Sequence, residues 1–282
     1  MRNLPDIGRI FYGTAVAGLG FQTIYYDYLP YMLIPPEHAW IPSLAIIAYI
    51  SGAMLILAGV CIAFKKNTTL IALVLGVVLL LIFCFYFIPY QLVATSDYLK
   101  LGKWENAEKE LAISGGSFII AGSFSKNNEL ASTRFATKLI RFGVIIFSIP
   151  VISFGIDHFL YAKEVAEYIP SWVPNKIFWS YFAGIALLGS GIAIILQIQQ
   201  RLFAVLLGAM IFIWFIILHI PKAVASPFAD MGSEVTSAFL ALAYSGTAFV
   251  IAGVTKKKIK DPLLAWLRKI TKFCIAPGQI SG

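Results

Sequence analysis

Two stretches of fifty residues decide the fold. Residues 40–89 read WIPSLAIIAYISGAMLILAGVCIAFKKNTTLIALVLGVVLLLIFCFYFIP, and residues 172–221 read WVPNKIFWSYFAGIALLGSGIAIILQIQQRLFAVLLGAMIFIWFIILHIP. They align without a gap at an offset of 132 residues and share 14 identical positions. The identities include the pairs Trp40/Trp172, Gly52/Gly184, Gly59/Gly191 and Pro89/Pro221. Apolar composition alone rarely aligns tryptophan, glycine and proline together, so an internal duplication is predicted.

The composition points to lipid as the solvent. Apolar residues make up 59% of the chain and charged residues 13%, with a mean hydropathy of +0.82. Soluble domains carry roughly twice that charged fraction. Because the apolar segments are long and separated by short polar stretches, the sequence predicts membrane-spanning helices and excludes an ordinary water-soluble fold.

Eight membrane-spanning helices are predicted, since about twenty apolar residues at a rise of about 1.5 Å each cross the hydrocarbon layer. The spans fall at about 8–29, 41–64, 69–93, 106–124, 139–161, 176–198, 201–222 and 233–254. The fold class is therefore all-α: a polytopic membrane protein built as two parallel four-helix bundles.

The domain boundaries follow from the repeat. The first four-helix unit covers 1–124, a polar cytoplasmic linker 125–138, the second unit 139–255 and a basic amphipathic cytoplasmic tail 256–282. Four spans are an even number, so both units enter and leave on the same side and are related by an axis along the membrane normal. The inverted repeat of many secondary transporters is thereby excluded.

Lysine and arginine predict the orientation. One side carries Arg2, Arg9, Lys65, Lys66, Lys126, Arg134, Lys138, Arg141, Arg201, Lys256, Lys257, Lys258, Lys260, Arg268, Lys269 and Lys272, which are 16 residues. The other side carries 6: Lys100, Lys103, Lys109, Lys163, Lys176 and Lys222. The positive-inside rule places both termini in the cytoplasm. Because the basic residues lie at the ends of apolar segments, the net charge of +8 is an orientation signal, and no nucleic-acid partner is expected.

Glycines seven residues apart predict where helices pack. The second and fourth spans of each unit carry the pairs Gly52 and Gly59, Gly115 and Gly122, Gly184 and Gly191, Gly246 and Gly253. Seven residues are two turns on one helix face, where a neighbouring backbone can approach closely. The simpler alternative is that glycine is frequent in membrane helices in general.

The basic tail is predicted to contain one more helix. Asp261-Pro262 is a capping residue followed by proline at the first helical position. Apolar residues after it can share one face while Arg268, Lys269 and Lys272 meet anionic headgroups, which is typical of an interfacial anchor. A docking surface for a cytoplasmic partner is the alternative.

Few ionisable residues lie near the hydrocarbon, and they gather at the outer ends of the spans. By helical rise, Asp157 and His158 lie roughly 24 Å above Arg141, and His219 roughly 27 Å above Arg201. Acidic residues at the N-terminal ends of the two fourth spans lie in the same layer: Glu108, Glu110 and Glu234. A helix N-terminus stabilises such negative charge.

One hypothesis is a polar ligand pocket on the periplasmic side of the second unit. His158 and His219 would bind a quinone headgroup, a metal or a substrate, and Asp157 would fix a histidine tautomer or relay protons. The alternative is that these residues simply face interfacial water. Position 87, which aligns with His219, is Phe, so the first unit lacks that histidine.

No catalytic set or resident metal site is predicted. The sequence contains no glycine-rich phosphate loop, nucleophile elbow or zinc-protease helix. Cys61, Cys84 and Cys274 are far apart, without the spacing of a thiol redox centre or a metal knuckle.

Several segments resemble the DoxX-like family of small four-span membrane proteins. They are Gly155-Ile-Asp-His-Phe159, residues 169–174, the Gly184/Gly191 span, His219-Ile-Pro221 and residues 104–116. The chain resembles two such proteins fused, over nearly all of 8–124 and 139–254. Residues Gly155, His158 and Phe159 match the family-like patch, where the first unit shows Gly20-Phe-Gln-Thr-Ile24 instead.

The resemblance implies a bacterial inner-membrane protein associated with redox metabolism, because name-giving members accompany a thiosulfate or quinol oxidoreductase. The expected function is therefore a non-catalytic or quinone-associated subunit of a membrane complex, surrounded by the lipid bilayer and by partner proteins. The alternatives are a carrier for a small solute or lipid, which would use the interface between the units, and a membrane-embedded oxidoreductase.

Overall fold

The computed structural model describes residues 3–34, 44–94, 98–124 and 130–255. Every regular element in these ranges is helical. The predicted tail helix after Asp261, most of the polar linker's first half and the loop with His38 lie outside the described residues.

The helices follow the predicted spans closely. The first copy contains α1 Leu4–Tyr25, α2 Leu44–Ala63, α3 Thr68–Ile82, α4 Ile88–Ala94 and α5 Glu105–Ser123. The second contains α6 Leu130–Leu160, α7 Ala162–Tyr168, α8 Lys176–Ile195, α9 Gln200–Trp214, α10 Ile220–Ala225 and α11 Ser233–Val254. Helix α1 ends before the predicted residue 29, because Asp27 has a left-handed φ of 52° that a helix cannot continue through. Helix α6 begins within the predicted linker.

Within the described ranges, six helices are long and apolar enough to cross a membrane. They are Ala45–Ala63, Thr68–Ala94, Arg134–Leu160, Lys176–Ile195, Gln200–Ala225 and Ala229–Val254. The other two predicted spans, α1 and α5, are more polar. Helix α5 has four charged residues, Glu105, Glu108, Lys109 and Glu110, in its first two turns.

Both copies contain a π-helical turn at the equivalent position. The turns are Phe83–Phe87 and Phe215–His219, which are 132 residues apart, and each precedes an Ile-Pro pair at Pro89 or Pro221. Proline has no amide hydrogen and its ring clashes with the carbonyl four residues earlier. A wider turn relieves that clash, so the local geometry repeats together with the sequence.

Two smaller features also repeat. The tight turns after α2 and α8 both use left-handed residues, Lys65 and Asn67 in one copy, Gln197 and Gln199 in the other. In the cores, Ser114 donates to the carbonyl oxygen of Gly76 at 2.8 Å, and Ser245 donates to that of Gly208 at 2.9 Å. The duplication therefore extends to hydrogen bonds that composition could not produce by chance.

Helices of the two copies pack against each other, so the copies form one helix assembly and not two separate bundles. Helix α1 packs along α2 and along α11 of the other copy, while α5 packs along α3 and along α6 of the other copy. Helices α5 and α11 also meet, but α1 and α5 of the same copy barely touch. The first helix of each copy thus packs along a helix of the other copy, so the predicted pair of parallel four-helix bundles is not confirmed.

All eight glycines of the predicted pairs lie against a neighbouring helix. A β-carbon on Gly59 would stand 2.3 Å from the backbone nitrogen of Ala17 in α1, and one on Gly115 would stand 2.5 Å from that of Phe147 in α6. The partner helices contribute small residues of their own: Gly8, Gly13, Gly20, Gly143 and Gly155. Backbones can approach this closely only where no side chain intervenes.

The two described ends of the chain lie at the same end of the helix assembly. A β-carbon on Gly253 would stand 2.2 Å from the ring of Pro5, and Lys65 forms an ion pair with Asp6 at 3.5 Å. We call this the terminal end and the opposite one, where α5 and α11 begin, the distal end.

Arg9 caps the C-terminus of α2 at the terminal end of the assembly. The Arg9 side chain is buried, its guanidinium donates to the carbonyl oxygens of Ile62 at 2.7 Å and of Ala63, and it pairs with Asp6 at 3.2 Å. These carbonyls have no partner within α2 because the helix ends there, although that of Ile62 also accepts from the Lys65 amide in the following turn at 3.2 Å.

Replacing Arg9 with Met should therefore lower the free energy of unfolding by about 2–3 kcal/mol, because buried carbonyls lose a charged donor. Thermal unfolding in detergent would measure the loss. Arg134→Met, at an exposed arginine, is the matched control and should change stability by less than about 0.5 kcal/mol. Equal stability of both variants would contradict the capping role.

Candidate functional site

Three polar side chains meet in the interface between α5 and α6 near the distal end. Glu108 of α5 has Ser153 and Asp157 of α6 among its electrostatic neighbours. Ser153 and Asp157 are four residues apart and thus share one helix face. We call Glu108, Ser153 and Asp157 the acid cluster.

Three oxygen atoms of the acid cluster make no hydrogen bond of regular geometry with the described part of the chain. They are the enclosed atoms Glu108 Oε2, Asp157 Oδ1 and Ser153 Oγ, although the Ser153 hydroxyl lies close enough to the Glu108 carboxylate for a weak bond. Ser153 is only 7% exposed, whereas the two acidic residues are half-buried. Enclosed polar atoms normally find a partner, since an unpaired one costs about 1–3 kcal/mol.

Tyr244 of α11 covers the acid cluster from the centre of the assembly. Its ring stacks on Phe154 with 6.3 Å between centroids and meets Phe147 edge to face at 6.1 Å. Its hydroxyl donates to the backbone carbonyl of Lys109 at 3.1 Å. The Lys109 side chain forms an ion pair with Glu105, so its charge is already matched by another carboxylate.

No described contact joins His158 and His219. Nδ1 of His158 lies 2.7 Å from the carbonyl oxygen of Phe154, and its Cβ packs against Gly184 of α8. His219 lies in the π-helical turn, with Lys222 and Lys109 as its charged neighbours. The two rings share no neighbour in the described contacts, and the pocket formed by both stays a prediction. Asp157 points to α5, away from either imidazole.

Glu234, at the start of α11, forms a separate group. It lies 3.7 Å from the amine of Lys222, which in turn lies 3.6 Å from the centre of the Tyr168 ring. Burial, reinforced by the nearby charge of Glu234, raises the pKa of the Tyr168 hydroxyl. Glu234 is thus matched by a cation and is not part of the acid cluster.

Glu110 faces α3 and the π-helical turn of its own copy. The side chain is completely buried, both carboxyl oxygens lack a partner among the described residues, and Cys84 is its electrostatic neighbour. Glu110 and Glu108, although only two residues apart, therefore point into different interfaces.

A small cavity of about 40 Å³ lies between the copies at the distal end. Its lining comprises Tyr28, Pro30, Tyr31, Met32, Asn106, Lys109, Asp230, Met231, Ser233, Thr236 and Ser237. Asp230 and Met231 both have positive φ values, 45° and 54°, a strained arrangement for residues with a β-carbon. Burial and the neighbouring Tyr31 raise the pKa of the Tyr28 hydroxyl. A cavity of this size admits a water molecule or an ion.

The second interface between the copies, formed by α1 and α11, is equivalent to the α5–α6 interface but has different side chains. Gly8 meets Gly246 there as Gly143 meets Gly115 between α6 and α5, which fixes the correspondence of positions. Phe239 thus corresponds to Glu108, Gly18 to Ser153 and Gln22 to Asp157. The Phe239 ring lies on Gly18, where a β-carbon would stand 2.2 Å away. Gln22 Nε2 donates to Thr236 Oγ1 at 2.7 Å and to the carbonyl of Gly232 at 2.9 Å.

Sequence reasoning identified Glu108 and Asp157 but missed Ser153 and Tyr244. The four-residue spacing of Ser153 and Asp157 was the available signal, but nothing in the sequence showed that this face of α6 meets α5. In the described ranges, no three His, Cys, Asp or Glu side chains come close enough to hold a metal ion by themselves.

Comparisons of the chain with protein-family models, with curated proteins and with solved structures found no match.

Proposed function

We propose that this protein is a non-catalytic, redox-associated subunit of a bacterial inner-membrane complex, built from two parallel DoxX-like repeats that cross the membrane eight times. Six apolar helices support the membrane assignment. Helices α1 and α5 count as the remaining two spans because each packs along two of those helices. The even count is consistent with the two described ends lying together, and the positive-inside rule puts that terminal end in the cytoplasm.

The acid cluster is the observation that carries the proposal. It holds two half-buried carboxylates in a helix interface near the distal end, within predicted membrane spans, where ionisable groups are costly and usually serve a function. The equivalent interface between α1 and α11 is filled by Phe239 on Gly18, so the fold itself does not require polar groups there. A group from outside the chain would complete the cluster, as expected for a protein that binds a ligand or a partner.

A quinol is the cofactor that fits beside this cluster. The Nδ1 contact of His158 with the Phe154 carbonyl makes Nδ1 the hydrogen-bond donor of the neutral ring, which leaves Nε2 as an acceptor. An acceptor suits the hydroxyl of a quinol. The exposed ring of Phe159, 5.7 Å from that of Tyr181, adds an aromatic surface at the same level. His158 and Phe159 would thus hold the headgroup of a molecule that enters from the lipid.

A small-solute carrier is the second candidate, because the distal cavity lies between the two copies. The centre of the assembly is filled, however. Tyr12 and Phe147 are fully buried there, and the Tyr12 hydroxyl donates to the Ile113 carbonyl at 2.7 Å. A carrier would have to open this core, so the subunit proposal is favoured.

Purification of the tagged protein in mild detergent tests the proposal. We expect fixed partner proteins and bound quinol in the wild type. Asp157→Asn and His158→Ala should insert normally but lose bound quinol or partner by about tenfold or more, equivalent to about 1.4 kcal/mol. Glu164→Asn, at an exposed carboxylate on α7, is the control. A lone protein that carries no quinol and transports solute in liposomes would overturn the proposal.

A further inference from the structure

The acid cluster contains more negative charge than its surroundings neutralise. Glu108 and Asp157 contribute two carboxylates, while the closest lysine, Lys109, is paired with Glu105. His158, next in sequence to Asp157, is turned to α8, and Lys222 is engaged by Glu234 and Tyr168. Among the ion pairs of the described residues, none includes Glu108 or Asp157.

The atoms that lack a hydrogen bond of regular geometry are all oxygens of the kind that hard cations prefer. They are one oxygen from each carboxylate and the hydroxyl of Ser153, which is more than nine-tenths buried and directed at Glu108. Carboxylate and hydroxyl oxygens suit Mg²⁺ and Ca²⁺, and Mg²⁺ in particular is commonly bound through one or two carboxylates with waters completing its shell. Two carboxylates also balance the charge of one divalent cation.

The site is reachable and is specific to one interface. Glu108 and Asp157 are half-buried at the distal end, so an ion can enter from the aqueous side. At the matching positions between α1 and α11, glycine, phenylalanine and glutamine leave neither carboxylate nor hydroxyl. The chain thus provides an internal reference for how this interface packs without an ion.

We infer that Glu108, Ser153 and Asp157 bind one divalent hard cation, Mg²⁺ or Ca²⁺, from the distal aqueous side. The cation links α5 of the first copy to α6 of the second and so fixes the two copies to each other. This inference deepens the proposed function, because it names the group that completes the acid cluster, but it does not depend on the redox role.

Thermal unfolding of the full-length protein in mild detergent, after removal of metal ions with a chelator, tests the inference. Mg²⁺ or Ca²⁺ at about 100 times Kd should raise the Tm by about 5 °C or more, with saturation in the millimolar range typical of extracellular sites. NaCl at equal ionic strength should not reproduce the rise. Absence of a shift, or an equal shift with Na⁺, would overturn the inference.

Variants assign the response to the site. Asp157→Asn and Glu108→Gln should each abolish the rise in Tm, and Ser153→Ala should increase the cation concentration needed for half of the effect. The triple variant Glu108→Phe, Ser153→Gly, Asp157→Gln copies the other interface, so it should fold and show no response. Glu164→Gln should respond as the wild type does. A full response in the triple variant would also disprove the site.

The cation site and the proposed redox function can be confirmed or rejected independently of each other. Loss of cation binding with retained partners and quinol would reject only the inference. A cation response in a protein that carries neither partner nor quinol would reject the redox role and keep the ion site.

Discussion

Replacing Gly59 with Val should destabilise the protein more than any other single change to α2. The added β-carbon would stand 2.3 Å from the Ala17 nitrogen and 2.4 Å from the Gly13 carbonyl oxygen, and both are backbone atoms that cannot rotate away. Helices α1 and α2 must therefore separate along their whole contact. We expect a loss of about 3 kcal/mol or more, which corresponds to a fall in Tm of about 6–12 °C.

Gly189 provides the matched control for this prediction. It lies within a membrane-spanning helix, α8, but a β-carbon there has open space, with no atom within 4 Å. Gly189→Val should leave the Tm nearly unchanged, since only intrinsic helix propensity differs. If both variants unfolded at the same temperature in detergent, the close α1–α2 contact would be refuted.

Replacing Gly246 with Leu should separate the two copies. A β-carbon at Gly246 would stand 2.5 Å from the Gly8 carbonyl oxygen and 2.8 Å from the Tyr12 nitrogen, both in α1 of the other copy. This contact is one of the two long interfaces that join the copies. A protease site inserted in the linker, at residues 125–129, allows the association of the two copies to be tested after the complete chain has folded.

After cleavage in mild detergent, the wild-type halves should elute together on size exclusion, because the α1–α11 and α5–α6 interfaces hold them. The Gly246→Leu halves should dissociate and elute separately at a lower detergent concentration than the wild-type halves, because only the α5–α6 interface remains intact, while Gly189→Leu halves behave as the wild type does. Joint elution of the Gly246→Leu halves up to the same detergent concentration as the wild type would show that this interface does not hold the copies.

The sequence predicted most of the helices because their causes are local. Length, hydropathy and the 132-residue repeat placed the helices within a few residues, except that α6 begins at Leu130 and not near 139, and the glycine pairs marked faces where backbones meet. The sequence could not show that α1 packs on α11 of the other copy. The pair Gly246 and Gly253 predicts a packing face on α11 but does not indicate which helix contacts it. Gly8 and Gly143, the partners on the first helices, lacked the seven-residue spacing that identified the others.

The candidate site was less predictable, because it depends on helix rotation. Asp157 and His158 are neighbours in sequence, but successive helical residues point about 100° apart. One therefore faces α5 and the other α8, which separates residues that the sequence grouped together. No sequence motif marks Ser153, because its role depends on the packing of α5 on α6, which places Glu108 beside it.

The central claim is that both copies cross the membrane in the same sense. Single cysteines at Lys66 and Gln197, in a chain without its native cysteines, probe equivalent turns of the two copies, and cysteines at Leu99 and Lys163 probe the opposite end. All four positions are exposed. In intact cells with a permeable outer membrane, an impermeant maleimide should label Leu99→Cys and Lys163→Cys but neither Lys66→Cys nor Gln197→Cys. Labelling of only one of the two turns, Lys66 or Gln197, would contradict the account.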